Sequence, residues 1–257
     1  MSDILRTYPV TEVAAWYRRL ANRIGQERVN GQEPLSAQFL RHYVDNRDPD
    51  STYSPAPPSY LTNNSLVLEA LRYHRRVFLT EEKARITGRS DVWAGVIPRL
   101  QGRAGFTAWV PGQPLKMEYQ SLVEMPLRFQ VTGTREEKDL LTSLRGFQLK
   151  SEVSVRGSSP PNSTRVKIEF VDWSCRVLDR YDFNYDEYFT VPNPDYGSDR
   201  PGAIAPKEQS IRVYHRNAQR LERAGFAAPY NLDMQWQLSE LTIKGAAEVD
   251  RNRNLGN

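Results

Sequence analysis

The first eighty residues show the spacing of apolar side chains that is typical of amphipathic helices. Between Thr11 and Ile24 these side chains recur every three or four residues, and Gly25 follows as a candidate end of the helix. The same spacing predicts helices over Leu35–Val44 and Asn64–Arg76. The intervening stretch Asp45–Tyr60 is rich in proline and polar residues, which predicts a loop.

From about Val77 the pattern changes to short apolar or alternating stretches that are separated by glycine and proline. This texture is typical of strands. The predicted strands are Val92–Val96, Phe106–Val110, Leu127–Thr132, Lys150–Val155 and Arg165–Asp172. The last is the clearest, because apolar and charged residues alternate along it, and we expect it to continue to Val177 after a hairpin loop over Gly157–Asn162.

Helices interrupt this strand-rich part. Thr134 and Glu137 form a capping box for one helix, which we expect to close at Gly146. A second helix is predicted over Lys207–Ala224, ending at Gly225, and a last strand within Asp233–Ile243. The sequence therefore predicts an α+β fold, in which N-terminal helices precede a largely antiparallel β-sheet with packed helices, a half-barrel being one form the sheet could take.

The change in the pattern of apolar residues predicts three parts of the chain: an N-terminal helical region (1–76), an α+β catalytic domain (77–249) and a flexible tail (250–257). No apolar stretch marks a signal peptide or a membrane span, so we expect a protein made in the cytoplasm without a signal peptide. The single cysteine, Cys175, forbids an intrachain disulfide, and a buried thiol in a strand is its simplest interpretation.

The charge balance narrows the range of partners. The chain has 35 basic and 31 acidic residues and a net charge of +4, with the arginines scattered. Such a mild excess does not indicate a nucleic-acid partner, and it allows peripheral contact with anionic lipid headgroups. His42 and His74 lie on predicted helices beside arginine and tyrosine, and we interpret both as structural or solvated.

Candidate chemistry is concentrated in the segment Asp172–Asp199, where seven carboxylates are interleaved with aromatic residues. Carboxylates beside aromatic rings can be desolvated, which raises their pKa, and paired carboxylates can bind a hard cation. The part of this segment that is most indicative of a functional site runs from Asp179 through Tyr181 and Asp182 to Asn184. If the strand continues through it, Asp179 and Tyr181 share one face; if the chain turns after Leu178, both aspartates can converge. An acidic hairpin shaped by Asp and Asn is the structural alternative.

A strand that runs into Asp-x-Tyr-Asp-Phe-Asn resembles the active-site motif of the colicin M-like bacteriocins. These magnesium-dependent enzymes cleave the phosphoester between the undecaprenyl carrier and the sugar-peptide head of lipid II. The resemblance implies that Asp179, Tyr181 and Asp182 are catalytic, with Asp179 and Asp182 as ligands of Mg²⁺ or another divalent cation. The family motif continues with a His-Arg pair, where this chain has Tyr188 and Phe189.

A His-Arg pair does occur later, at His215 and Arg216. If Asn193–Pro206 is an inserted loop, His215 could return to the site as general base and Arg216 could bind a phosphate oxygen. The alternative is a structural histidine in the core or at an interface, with its hydrogen-bonding groups paired, because His215 falls on the apolar face of its predicted helix.

The resemblance thus implies an antibacterial toxin-type hydrolase that cleaves lipid II or a related polyprenyl-phosphate precursor of peptidoglycan. The N-terminal half shows no counterpart of the import region of these bacteriocins and no signal peptide, so we expect delivery by a contact-dependent secretion system. The protein would then act in the periplasm of the target cell and be neutralised by a cognate immunity protein. A non-enzymatic, effector-associated interaction module is the alternative, because tyrosine and tryptophan favour interfaces. A nucleic-acid-directed toxin, prompted by the basic pI, is a weaker one.

Overall fold

The computed structural model describes residues 3–80, 85–86, 95–101, 112–182, 188–239 and 241–250. Its helices are a 3-10 helix Ile4–Thr7, α1 Val10–Gln26, α2 Leu35–Asp45, α3 Ser59–Thr62, α4 Ser65–Thr80, α5 Val96–Leu100, α6 Phe129–Thr132, α7 Arg135–Leu144, α8 His215–Arg223 and α9 Leu241–Lys244. Its strands are β1 Thr52–Tyr53, β2 Arg85–Ile86, β3 Leu115–Glu124, β4 Gly146–Ser158, β5 Arg165–Tyr181, β6 Tyr188–Pro192, β7 Ser210–Tyr214, β8 Tyr230–Gln237 and β9 Ala247–Asp250.

The predicted α+β class with a mostly antiparallel sheet is confirmed. The main sheet has the strand order β1-β8-β5-β4-β3-β2, and β9 pairs with β5. Its central pair, β4 and β5, is antiparallel, whereas the short β1 runs parallel to β8. Within the described residues the order begins at β1 and ends at β2 without closing into a barrel. A separate two-stranded sheet is formed by β6 and β7.

The chain forms two compact units, each assembled from three stretches. Unit 1 contains Met1–Tyr60, Glu124–Gly146 and Asp179–Asp233, and unit 2 contains Leu61–Val123, Phe147–Leu178 and Met234–Asn257. The limits of these units do not coincide with the predicted boundary between residues 76 and 77. That boundary was a functional division, and as such it stays a prediction.

In unit 1, the long amphipathic helices α1 and α2 pack on each other through buried aliphatic and aromatic side chains. The N-terminus of α2 is capped from a distance. The buried Asp139 on α7 accepts hydrogen bonds from the backbone N–H groups of Leu35 (2.8 Å) and Ser36 (3.1 Å) and from the hydroxyl of Tyr60 (2.6 Å). Because Pro34 precedes α2 and has no side-chain acceptor, Asp139 supplies the cap that the local sequence lacks.

In unit 2, a buried histidine ties helix α4 to the sheet. The Nδ1 atom of His74 lies 2.8 Å from the hydroxyl oxygen of Ser151 on β4, and Nε2 lies 2.8 Å from that of Ser121 on β3. Burial lowers the pKa of His74 to about 4, so the imidazole is neutral at physiological pH. The prediction of a structural role for His74 fits this geometry. Cys175 is also buried in its strand as expected, and burial raises the pKa of its thiol to about 12.

Helices α1, α2, α4 and α7, the 134/137 capping box and the strand from Arg165 are confirmed. Other predictions are wrong. Leu127–Thr132 is a turn and the one-turn helix α6. Of the predicted strand Val92–Val96, Gly95 precedes helix α5 and Val96 begins it, whereas residues 92–94 and all of Phe106–Val110 lie outside the described residues. Helix α7 ends at Leu144, and the residue that caps this end is Arg145, with a positive φ of 38°, rather than Gly146. Gly25 lies inside α1.

Lys207–Ala224 is not one helix. Ser210–Tyr214 is strand β7, and helix α8 begins only at His215. The strand within Asp233–Ile243 is β8, which begins earlier, at Tyr230, and β9 follows it. Among the described residues, no helix has the length and apolarity that crossing a membrane requires.

Candidate functional site

The end of strand β5 carries the predicted site. The strand continues to Tyr181, so the first of the two predicted geometries is observed, with Asp179 and Tyr181 two positions apart and on the same face. The ring of Tyr181 stacks on that of Tyr230 in β8, with centroids 5.2 Å apart and an interplanar angle of 19°. It also meets the rings of Phe39 and Tyr43 of α2 edge to face. Helix α2 therefore covers the face on which Asp179 lies.

Asp179 is a carboxyl group in a partly desolvated position. Burial is the main cause that raises its pKa, and the negative charge of Asp182 raises it further. The backbone N–H of Arg180, which donates to Oδ1 of Asp179 at 2.8 Å, acts in the opposite direction. The net result is a pKa of about 7, so that Asp179 can carry a proton or release it near neutral pH.

Asp182 lies directly beyond the strand and remains close enough to Asp179 for its charge to act on it. Arg180 is fixed between neighbouring groups: its guanidinium donates to the side chain of Asn231 at 3.2 Å and to the carbonyl of Pro49 at 3.4 Å. Its Nε atom is 3.9 Å from Oδ2 of Asp182, which is a loose ion pair rather than a hydrogen bond. Asp182 is thus held near Asp179 without being firmly neutralised by Arg180.

His215 and Arg216 lie at the junction of β7 and α8. The ring of His215 is 6.0 Å from that of Phe189. The Nε atom of Arg216 donates to Oδ2 of the buried Asp3 at 2.7 Å, and the guanidinium lies over the ring of Tyr214. The charge that acts on Asp179 is that of Asp182, whereas the ionic partner of Arg216 is Asp3. Asp179, Tyr181 and Asp182 therefore lie together at the end of β5, whereas Arg216 forms its ion pair with Asp3 and not with either of these aspartates.

The predicted insertion Asn193–Pro206 is a well-anchored loop. The amide of Asn193 donates to three backbone carbonyls, and its oxygen accepts from the indole N–H of Trp16 in α1. Asp195 receives a bidentate pair of hydrogen bonds, both 2.7 Å, from Arg19. Burial alone would raise the pKa of Asp195, but the hydrogen bonds from Arg19 and from the backbone of Ile204 lower it below its usual value. These carboxylate contacts are structural.

Sequence reasoning missed Tyr230 beside the site, and it interpreted the neighbouring His42 only as structural or solvated. The ring of His42 stacks on that of Tyr53 (4.2 Å) and meets Tyr230 edge to face (4.5 Å). The pKa of Tyr230 is raised by burial and, among other groups, by the charge of Asp179. Tyr230 lies on β8 but before the predicted strand within Asp233–Ile243, and the strand that neighbours it could not be read from the sequence. Residues 183–187, the middle of the acidic segment, lie outside the described residues.

A divalent cation is compatible with this chemistry. The described residues contain no cluster of three or more histidine, cysteine or carboxylate side chains around a common point. Mg²⁺ commonly keeps several waters and binds through one or two carboxylates together with substrate phosphates. Asp179 and Asp182 could supply these carboxylates, and their mutual repulsion is what a bound cation would relieve.

Comparison with known proteins identifies no relative of this chain. No protein-family model matches the chain, and no curated protein or solved structure is significantly similar to it.

Proposed function

We propose that this protein is a metal-dependent phosphodiesterase of the antibacterial-toxin type, acting on lipid II or a related polyprenyl-phosphate precursor of the cell wall. The observation that carries the proposal is the pair of carboxylates at the end of β5, in which Asp182 helps to raise the pKa of Asp179 to about 7. A carboxyl group that titrates near neutral pH beside a second carboxyl group is an arrangement suited to acid–base chemistry on a phosphoester.

The two aspartates would have different roles. Asp182, directly beyond the end of β5, would hold the cation together with the substrate phosphate. Asp179 could bind the cation only when ionised; when protonated, it would instead give its proton to the leaving oxygen. A bound divalent cation would supply charge stabilisation for the phosphoryl oxygens. Tyr181, wedged between Tyr230 and the aromatic side chains of α2, would position the two carboxylates rather than titrate, because burial raises its pKa.

The roles of His215 and Arg216 come from the sequence. His215 would activate the attacking water, and Arg216 would bind a phosphate oxygen. Arg216 would have to exchange its bond to Asp3 for one to the substrate. Delivery by a secretion system, action in the target periplasm and neutralisation by an immunity protein are further parts of this proposal.

The decisive experiment incubates the purified protein with lipid II, with and without Mg²⁺, and separates the products. We expect release of the pyrophosphorylated sugar-peptide only with the cation, and a loss of at least about a hundredfold in Asp182→Asn and Asp179→Asn. Asp199→Asn, an exposed aspartate of the same acidic segment, is the matched control and should keep wild-type activity. Full activity in Asp182→Asn would contradict the proposal.

An interaction module is the second candidate, and the exposed face of β6–β7 favours it. Tyr188 is 49% exposed and pairs with Tyr214, and the guanidinium groups of Arg212 and Arg216 lie 4.6 and 4.5 Å from the centroids of these two rings. Tyrosine and arginine are enriched in the energetic centres of protein interfaces. Growth arrest on export of the chain to the periplasm, but not on retention in the cytoplasm, would speak against this candidate.

A further inference from the structure

Arg180 is the residue of β5 that connects the two carboxyl groups of the candidate site. Its backbone N–H donates to Oδ1 of Asp179 at 2.8 Å, and the Nε atom of its guanidinium lies 3.9 Å from Oδ2 of Asp182. Because side chains alternate along a strand, Arg180 projects on the face opposite to that of Asp179 and Tyr181, which α2 covers. The side chain of Arg180 is 45% exposed, so a ligand can reach its guanidinium from solvent.

The hydrogen bonds that hold this guanidinium are long. It donates to the side-chain oxygen of Asn231 on β8 at 3.2 Å and to the carbonyl oxygen of Pro49 at 3.4 Å. Hydrogen bonds of this kind most often measure about 2.9–3.0 Å, and the separation of 3.9 Å from Asp182 exceeds hydrogen-bonding distance. Exchanging these contacts for the oxygens of an anion therefore sacrifices little interaction energy.

Other arginines of unit 1 are bound more firmly. Arg19 donates twice to Asp195 at 2.7 Å, and Arg216 donates at 2.7 Å to Asp3, whose side chain is only 5% exposed. Arg216 has to break this bond before it can bind any other anion. Arg180 combines a position beside the two aspartates with a weakly held, accessible side chain.

The proposed class of substrate requires positive charge at this place. Phosphoesters and pyrophosphates are anions, and the carboxyl groups of Asp179 and Asp182 repel an anion when they are ionised. A guanidinium carries a permanent positive charge, and its planar fork of N–H groups matches two oxygens of one phosphate group. Arginines at sites of phosphoryl transfer stabilise the negative charge of the reacting group in this way.

We propose that Arg180 binds a phosphate group of the substrate through a pair of hydrogen bonds and holds it beside Asp182. This inference rests on the proposed function, and it adds a residue to which the resemblance to the bacteriocins gives no role. On binding, the guanidinium exchanges its long bonds to Asn231 and Pro49 for bonds to the phosphate oxygens. Arg180 is then a catalytic residue, because it touches the reacting group.

The first experiment measures binding and needs no turnover. Inorganic pyrophosphate is titrated calorimetrically into the full chain, with Mg²⁺ present and at constant ionic strength. Arg180→Gln should weaken binding at least about tenfold, and Arg180→Lys, which keeps the charge but loses the planar fork, should weaken it less. Arg18→Gln is the matched control, because it also removes one positive charge from unit 1 and breaks an arginine–aspartate pair, that of Arg18 with Asp45 at 2.9 Å. Its affinity should stay within about twofold of that of the wild type.

Three results of this titration would overturn the inference. The first is that the wild type does not bind pyrophosphate, or that Arg180→Gln binds it as tightly as the wild type. The second is an equal loss in Arg180→Gln and Arg18→Gln, because the effect would then come from net charge. The third is a loss in Arg216→Gln without a loss in Arg180→Gln, which would assign phosphate binding to Arg216 alone.

The second experiment separates phosphate binding from a structural role of Arg180. Asn231→Ala removes the side chain to which Arg180 donates but leaves the guanidinium, so pyrophosphate affinity should stay within about threefold of the wild type. Free guanidinium ion at millimolar concentration should restore part of the affinity that Arg180→Ala loses. If Arg180 acted only by tying β5 to β8, Asn231→Ala would lose as much affinity as Arg180→Gln and guanidinium would restore nothing. Far-UV circular dichroism of each variant verifies that it is folded.

Activity separates the failure of this inference from the failure of the proposed function. With lipid II and Mg²⁺, Arg180→Gln should lower kcat/KM at least about a hundredfold, and Arg18→Gln should not lower it. A wild type that binds pyrophosphate through Arg180 but releases no product from lipid II would refute the proposed function alone. Cleavage of lipid II at the same rate by the wild type and by Arg180→Gln would refute the role of Arg180 alone.

Discussion

A carboxyl group with a raised pKa holds its proton more tightly in the folded chain than in the unfolded chain. For Asp179 the folded value is about 7, against an ordinary value of 3.8, so between these pH values the folded state binds more protons. The contribution of Asp179 to stability therefore falls as the pH rises from about 4 to about 7. A residue that costs stability at working pH is typical of a functional site rather than of a core.

Asp179→Asn should therefore stabilise the fold at pH 8, on the order of 1–3 kcal/mol after allowance for partial solvent access, and have little effect at pH 4. The measurement is urea unfolding at both pH values. The matched variant Asp195→Asn, which removes a carboxylate bound by Arg19, should instead destabilise. A loss of stability in Asp179→Asn at pH 8 would show that the carboxylate is structural.

His74 allows a second test at this scale. Ser151→Ala leaves the buried Nδ1 atom of His74 without its hydroxyl partner, which should cost about 1–3 kcal/mol in the free energy of unfolding. Ser154→Ala, on the same strand but half-exposed, should cost less than about 0.5 kcal/mol. Equal effects in denaturant unfolding would mean that the imidazole gains little from its serine partners.

At the scale of elements, the sequence predicted correctly the features that depend only on residues close together in the chain. The capping box of α7 joins residues three positions apart, so Thr134 and Glu137 sufficed to predict where that helix begins. The failure over Lys207–Ala224 has a physical reason. Ile211, Tyr214, Ala218 and Leu221 fit a helical period, but residues 210–214 pair with β6, and no glycine or proline marks the change from strand to helix.

The candidate site shows the same division between local and long-range information. The sequence singled out Asp179, Tyr181 and Asp182, because carboxylates and aromatics are concentrated there. It left open whether the strand continues past Leu178, since that depends on β8 and α2, which lie far away in sequence. Arg216 could not be assigned to Asp3 from the sequence for the same reason, since 213 residues separate them.

The cap of α2 by Asp139 gives a prediction at this scale. Asp139→Ala removes the acceptor of two backbone N–H groups and of the Tyr60 hydroxyl in a buried position, and should cost about 2–4 kcal/mol. Thr134→Ala, which removes an exposed local cap, should cost about 1 kcal/mol. The measurement is chemical unfolding followed by far-UV circular dichroism. An equal or smaller cost for Asp139→Ala would mean that water replaces the carboxylate.

At the scale of the whole molecule, the two units contain groups that respond to pH in opposite directions. In unit 2, the folded pKa of His74 is about 4 and its ordinary value is 6.5, so the unfolded chain binds the extra proton between these values. Its contribution is complete above about pH 6.5 and is lost as the pH falls towards 4. In unit 1, Asp179 makes the fold more stable over nearly the same interval as the pH falls from 7.

Hydrogen exchange should therefore separate the units between pH 4 and 7. After correction for intrinsic rates, the free energy of opening should fall with decreasing pH for amides of β4, such as Leu149 and Val153, and rise for amides of α2, such as Phe39 and Leu40. Asp179→Asn should flatten the second trend and leave the first unchanged. If all these amides shift together, the chain opens as one cooperative unit, and the pH dependence belongs to the molecule rather than to its parts.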